Sequence, residues 1–200
     1  MLVACERSGT VRDAFTRAGH FAVSVDLELD LSVPRGLHLR RDIRDVLRDS
    51  APAWDLMIAF PPCTHVAVSG AKHFAPKRAD GRQAEAVALV QALARAPIPC
   101  ICIENPVGIL STRWRKPDQV IQPWQYGHAA TKATCLWLKG LPLLTPTNVV
   151  DKGMRTRHGV PSWYNLPDSA DRARLRGRTF QGIADAMASQ WTGAAPARAR

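Results

Sequence analysis

The stretch Trp54-Asp55-Leu56-Met57-Ile58-Ala59-Phe60-Pro61-Pro62-Cys63 decides how this chain is read. Its short apolar run predicts a buried central strand over 55–59. Two prolines then end the strand and fix the backbone, which holds the Cys63 thiol at the edge. Roughly forty residues on, Ile98-Pro99-Cys100-Ile101-Cys102-Ile103 is a second such run, and it leads into Glu104-Asn105-Pro106. A thiol and a carboxylate are therefore expected side by side at the rim of one sheet, where open α/β folds bind their ligands. A thiol to attack and an acid to protonate is the pair that activates an electron-poor ring.

Outward from that core the first half alternates between the two periods. Leu2–Cys5 reads as a short strand, Ser8-Gly9 as a turn, and Val11–Ala18 as a helix with Val11, Phe15 and Ala18 on one face and Gly19 after its end. Phe21–Val25 reads as a second strand ending in Asp26, and Asp42–Leu47 as a helical turn. Thr64–Arg82 is polar and carries glycine, so it is expected as a functional loop. Gln83–Ala96 is an amphipathic helix with Val87, Val90 and Leu93 or Ala94 inward. The second half is less regular: strands at Thr134–Leu138 and Leu143–Thr147 around Leu141-Pro142, a loop over Arg155–Ser169, and a last helix at Ile183–Trp191. This order implies an α/β fold, a largely parallel sheet with helices on both faces. The 200 residues suit one domain, assigned to 1–193, with 107–175 as substrate-facing insert and loops and 194–200 as a basic tail.

The formal charge of +10 points to a polyanionic partner, nucleic acid ahead of membrane. The basic residues cluster in Arg35–Arg48, Arg113–Lys116, Lys152–His158 and Arg172–Arg178. Trp114, Trp124, Tyr126, Trp163 and Tyr164 lie nearby, a mixture suited to phosphate contact and base stacking. No run approaches the ~20 apolar residues of a membrane span, and the start carries no secretory signal, so the cytoplasm is the expected compartment. The five cysteines form no CxxC pair or Cys/His cluster at zinc spacing, so no metal is expected. Cys5, Cys100, Cys102 and Cys135 are read as small buried residues, leaving Cys63 as the candidate nucleophile.

Together these segments resemble the DNA (cytosine-5) methyltransferases, in the form of a short phage-type or orphan member without a large target-recognition domain. Pro62-Cys63 matches the family's Pro-Cys motif, Glu104-Asn105-Pro106 its Glu-Asn-Val motif, and Cys5-Glu6-Arg7-Ser8-Gly9 its glycine-rich cofactor loop. Ala18-Gly19, Asp26 and Asp42-Ile43 fall at suitable distances for the segments that follow, and Arg178–Ile183 resembles the last family motif. Arg7 stands where the family has its first glycine, Pro106 replaces a valine, and Gln122–Tyr126 is a loose stand-in for Gln-x-Arg-x-Arg.

The resemblance implies a Rossmann-like S-adenosylmethionine-dependent methyltransferase fold. It implies S-adenosyl-L-methionine held by Glu6, Ser8, Gly9, Asp26, Asp42, Phe60 and Pro62, and DNA as partner. Cys63 would add to carbon 6 of cytosine, Glu104 would act on ring nitrogen 3, and Asn105 would position the base or brace the loop. Substrate contacts are expected from Thr64, Lys72, Arg78, Arg113, Arg115, Lys132 and Thr134, with Lys77 also at the nucleic-acid backbone. Two other readings stay open. One is a pyrimidine nucleotide-modifying enzyme using the same cysteine addition; the other is a non-catalytic DNA-binding protein on this scaffold.

Overall fold

The computed structural model describes residues 1–28, 36–49, 53–153 and 177–192. Seven strands form one sheet: β1 (Leu2–Ala4), β2 (Val23–Asp26), β3 (His38–Arg40), β4 (Leu56–Ala59), β5 (Cys100–Pro106), β6 (Gln119–Ile121) and β7 (Thr134–Lys139). The helices are α1 (Thr10–Arg17), α2 (Ile43–Arg48), α3 (Phe74–Ala79), α4 (Arg82–Ala94), α5 (Leu110–Arg113) and α6 (Gln181–Trp191). The strand order is β3-β2-β1-β4-β5-β7-β6, with β3 to β5 parallel and β7 antiparallel to both neighbours. The fold is Rossmann-like α/β, as expected, and its order reverses between β1 and β4.

Alternation along the central strands builds two cores. Val3, Ile58, Cys100 and Cys102 face one side, under α1 (Val11, Phe15) and α6 (Ile183, Met187, Trp191). Leu2, Met57, Ile101 and Ile103 face the other, under α2 (Val46) and α4 (Val90, Leu93). Cys100 and Cys102 thus share a face and are buried core residues, as their spacing with isoleucines predicts.

The ends of α1 follow from local chemistry. Gly9 begins the helix at φ +70 and Gly19 follows its end at φ +88, both in the left-handed region that glycine tolerates. The cap itself comes from outside the turn. The Glu6 carboxylate accepts from the backbone N–H of Val11 (2.6 Å) and Arg12 (3.2 Å).

Several expectations are corrected. Ala18 lies past the helix end and is exposed. The stretch Thr64–Arg82 is not an irregular loop: Val68–His73 forms a 3-10 helix that runs into α3. Leu143–Thr147 is not a strand. Its backbone is tied instead by the Gln119 side chain, which donates to Leu144 O (2.7 Å) and accepts from Leu144 N (2.8 Å). β5 runs on through Glu104-Asn105-Pro106 because β7 pairs along that whole length. The span 107–175 contributes β6 and β7 to the central sheet. The loop over Arg155–Ser169 with Trp163 and Tyr164, the arginines Arg172, Arg174 and Arg176, and the tail 194–200 lie outside the described residues.

Burial raises the Glu6 carboxyl from 4.5 to about 7, against the opposing pull of the two capping N–H groups and the Arg12 guanidinium. An acid whose folded pKa is raised favours folding below its unfolded pKa and loses that contribution as pH rises through the folded one. Wild type should therefore lose on the order of 1–3 kcal/mol relative to Glu6→Gln between pH ~4.5 and ~7, read from urea unfolding. Parallel pH profiles for the two proteins would refute the assignment.

Candidate active site

The parallel register Ala59↔Ile103 brings the ends of β4 and β5 to one level, so Phe60-Pro61-Pro62-Cys63 and Glu104-Asn105-Pro106 leave the rim together. A cleft of about 640 Å³ opens there, above the ends of β1, β2, β4 and β5. From the expected cofactor set it is lined by Glu6, Ser8, Asp26, Phe60 and Pro62. From the catalytic and substrate sets come Cys63, Glu104, Asn105, Thr64 and Lys132.

The amide of Asn105 is buried, and its Nδ2 donates to Pro61 O (2.8 Å). This bond braces the loop at Pro61. The Cys63 carbonyl accepts from Val66 N (3.1 Å) and Ala67 N (2.9 Å), which turns the chain sharply after the exposed thiol. Lys77, expected at phosphates, is turned inward instead: it is buried, and its Nζ donates to Thr64 O (2.6 Å). A short bridge, Ala67↔Gly108, ties this turn to the segment after Pro106.

Two thiols reach the cleft and their surroundings separate them. Cys5, expected in the core, lies in the cleft wall with φ +56, the only positive value among the described non-glycine residues. Burial, with Asp26 and Asp42 adding to it, pushes its thiol to about 12, so Cys5 stays protonated. Cys63 is exposed and lines the same cleft as Glu104. Burial also raises the Glu104 carboxyl above its ordinary value, while Lys132 draws it back down. Lys132 is held in turn by Gln122, whose Oε1 accepts from its backbone N–H (2.9 Å), and its Nζ donates to Arg178 O (3.4 Å).

Other expected residues lie outside the cleft. Gly9 packs against the buried Arg12 guanidinium. Asp42 caps α2, accepting from Arg44 N (2.8 Å). Lys72, Arg78 and Arg113 are exposed on the helices that follow the two motif loops. Arg115 is engaged within the fold: it forks onto Asp118 (2.9 and 2.8 Å) and lies over Trp114. Thr134 is buried, with its hydroxyl donating to Lys132 O (3.1 Å).

The structure brings further residues to the cleft. Arg7 pairs with Glu28 across the mouth, and Asp26 Oδ1 accepts from Glu28 N (2.9 Å). Gly177, Arg178 and Thr179 close the far wall. They arrive there because α6 packs on α1, with Arg17 donating to Asp185 (2.9 Å), and because His128 Nε2 accepts from Gly182 N (2.9 Å). The likeness of Arg178–Ile183 to a last family motif was the signal for that wall, and Glu28 had none beyond following Asp26 by two positions.

Among solved structures the chain is similar to a candidate DNA modification methyltransferase encoded within a prophage of E. coli, at 14% identity and a TM-score of 0.46. The match covers 75% of this chain and 51% of that one, so this chain spans about half the length of the structure it matches. No protein-family model matches the chain, and no curated protein does. Among the described residues no group of three or more His, Cys, Asp or Glu is gathered as for a metal, and no helix is long and apolar enough to cross a membrane.

A side-chain carbon at Gly108 would overlap the Val66 carbonyl oxygen, so the bridge behind Cys63 has no room for it. Gly108→Ala should cost ~1–3 kcal/mol in urea unfolding, as overpacking does. Gly177→Ala, with no described residue within 4 Å of the added carbon, serves as the near-neutral control. Equal stabilities for the two variants would show that the bridge yields freely.

Proposed function

We propose that the protein is a DNA cytosine carbon-5 methyltransferase with Cys63 as covalent nucleophile and S-adenosyl-L-methionine as methyl donor. The observation that carries this reading is that the exposed Cys63 thiol and the desolvated Glu104 acid line one cleft with the Asp26 carboxylate that ends β2. The donor set suits such a cofactor. Asp26 ends β2 where acidic residues meet ribose hydroxyls, and the Phe60 ring offers an apolar surface beside it. When bound, the cofactor supplies an electrophilic methyl group.

The chain's own residues do the rest. Cytosine carbon 5 is a poor nucleophile until the ring is saturated at carbon 6. Cys63 Sγ, as thiolate, bonds to carbon 6 and the displaced electron pair moves to carbon 5. Glu104 gives its proton to nitrogen 3, which neutralises the ring as the pair arrives. After transfer, water takes the proton from carbon 5, the carbon 6–sulfur bond breaks so that Cys63 leaves as thiolate, and nitrogen 3 returns its proton to Glu104. Asn105 keeps the thiol in line by fixing Pro61. Reaching the ring requires the base out of the stack. The charge of +10 and the exposed Lys72, Arg78 and Arg113 support a nucleic-acid substrate, in a cytoplasmic enzyme that uses residues 1–193 as one catalytic domain.

DNA carrying 5-fluorocytosine, incubated with cofactor, should trap a covalent adduct with wild type and with Cys5→Ala but none with Cys63→Ala. An adduct on Cys63→Ala would sink the mechanism. Reaction confined to free pyrimidine nucleotides would favour the nucleotide-modifying alternative.

The pH profile offers a separate check. Glu104 acts while protonated, so transfer should fall as pH rises through its raised pKa. Lys132→Ala removes the cation that lowers that pKa, and the alkaline limb should move to higher pH. A limb that stays fixed or moves down would exclude Glu104 as the group responsible.

A further inference from the structure

Arg12 is the most deeply enclosed cation among the described residues, with 2% of its side chain exposed. It lies outside the cleft. Its position is costly on two counts. A buried charge gives up its water, and a cation in the first turn of α1 opposes the positive end of the helix dipole. A well-packed apolar side chain serves stability at least as well in such a place, so what the guanidinium adds is placement.

That placement joins α1 to two strands and to the loop before it. Nε donates to Asp13 Oδ1 (2.7 Å), and Nη1 donates to the buried Ser24 Oγ on β2 (3.0 Å). Ser24 Oγ also shares a hydrogen bond with His38 Nδ1 on β3 (2.9 Å). The Arg12 backbone N–H meanwhile holds Glu6, a residue of the cleft wall. Two glycines give the planar group its slot. A side-chain carbon at Gly9 or at Gly36 would overlap the guanidinium, whose atoms are its nearest neighbours in both cases. Gly36 is not in the left-handed region, so the guanidinium and not the backbone demands a glycine there. Gly9 directly follows Cys5–Ser8, which line the cleft, so the loop has the cleft on one side and the guanidinium beneath its last residue.

We propose that Arg12 is a positioning residue for the cofactor: its guanidinium, seated between Gly9 and Gly36 and tied to Ser24, sets the loop at Cys5–Gly9 and through it the affinity for S-adenosyl-L-methionine. The proposal rests on the methyl-donor reading above. Arg12 touches neither cofactor nor substrate and acts through the loop it supports. Cys63 follows β4 and Glu104 lies on β5, so the reacting groups are held independently of it.

The test measures S-adenosyl-L-methionine binding by calorimetry for wild type, Arg12→Met, Gly36→Ala and the double variant. Arg12→Met keeps an unbranched side chain and removes the guanidinium. Either single variant should weaken binding by about tenfold or more, the effect of a lost hydrogen bond to a charged group. Gly36 acts through Arg12, so adding Gly36→Ala to Arg12→Met should change affinity by less than about twofold. Adduct formation on 5-fluorocytosine DNA should need more cofactor in the single variants, yet match the wild-type rate once cofactor saturates. Thermal unfolding checks each fold, and Gly36→Ala, which removes no group, carries the test if Arg12→Met does not fold. Wild-type affinity in Gly36→Ala overturns the proposal while leaving the methyl-donor reading in place. Equal losses from Gly36→Ala in both backgrounds also overturn it, since Gly36 would then act apart from Arg12. A lower saturated rate at unchanged affinity overturns it as well, because a general loss of structure gives that result. Wild type that binds no S-adenosyl-L-methionine overturns the methyl-donor reading, and the role of Arg12 with it.

Discussion

The parallel pairing of β4 with β5, in the register Ala59↔Ile103, is the constraint on which the rest of this molecule depends. Side chains alternate at period two, so a slip of one residue in β5 would exchange Glu104 with Asn105. The acid would then face Pro61 O, where only a donor is useful, and the amide would face Lys132. Cys100 and Cys102 would move to the face now filled by Ile101 and Ile103, and both cores would be mispacked. Two independent demands, core volume and polar satisfaction at the rim, therefore select the same register. That agreement keeps Cys63 and Glu104 on one cleft.

What was legible in the sequence follows from the same distinction between buried and edge elements. β1, β4 and β5 are covered on both faces and announced themselves as apolar runs. β3 and β6 lie at the two edges with three residues each, and half-exposed residues such as Leu39 and Val120 leave no apolar run to detect. Thr64–Arg82 reads as loop because its surface is polar, yet its anchoring contacts are few and specific, with Lys77 turned inward and Ala67 on the bridge. The candidate site divides in the same way. Cys63, Glu104 and Asn105 were legible because each sits at the end of a strand that was itself legible. Glu28 enters the cleft through tertiary packing that no local pattern encodes. Arg115 was read from charge, which alone does not name a partner, and within the fold it pairs with Asp118 three residues on.

Environment rather than residue type separates the groups in the cleft. Two thiols and several carboxyls line one space, and desolvation sorts them. Cys5 is enclosed beside Asp26 and Asp42 and stays a thiol, whereas Cys63 stands exposed at the end of two prolines. Glu6 is fully enclosed, but both of its oxygens are committed to the start of α1, so it shapes the loop. Glu104 is desolvated, which raises its carboxyl above the ordinary value, and the Lys132 cation opposes that rise.

Arg7 is the position where this chain departs most visibly from the family it resembles, and the backbone explains why the departure is harmless to the turn. A glycine is needed where φ is positive or where a neighbour leaves no room for a side chain. In this loop the positive values fall at Cys5 and Gly9, and Arg7 is not among them. The left-handed cost is therefore carried by Cys5, where Glu6 N donating to Val25 O (3.2 Å) and the Glu6 cap hold the chain on either side of the bend. The Arg7 side chain, relieved of that role, reaches across the mouth to Glu28 and joins the loop after β1 to the loop after β2. A bulky cation at this position is thus compatible with an intact strand-turn-helix opening.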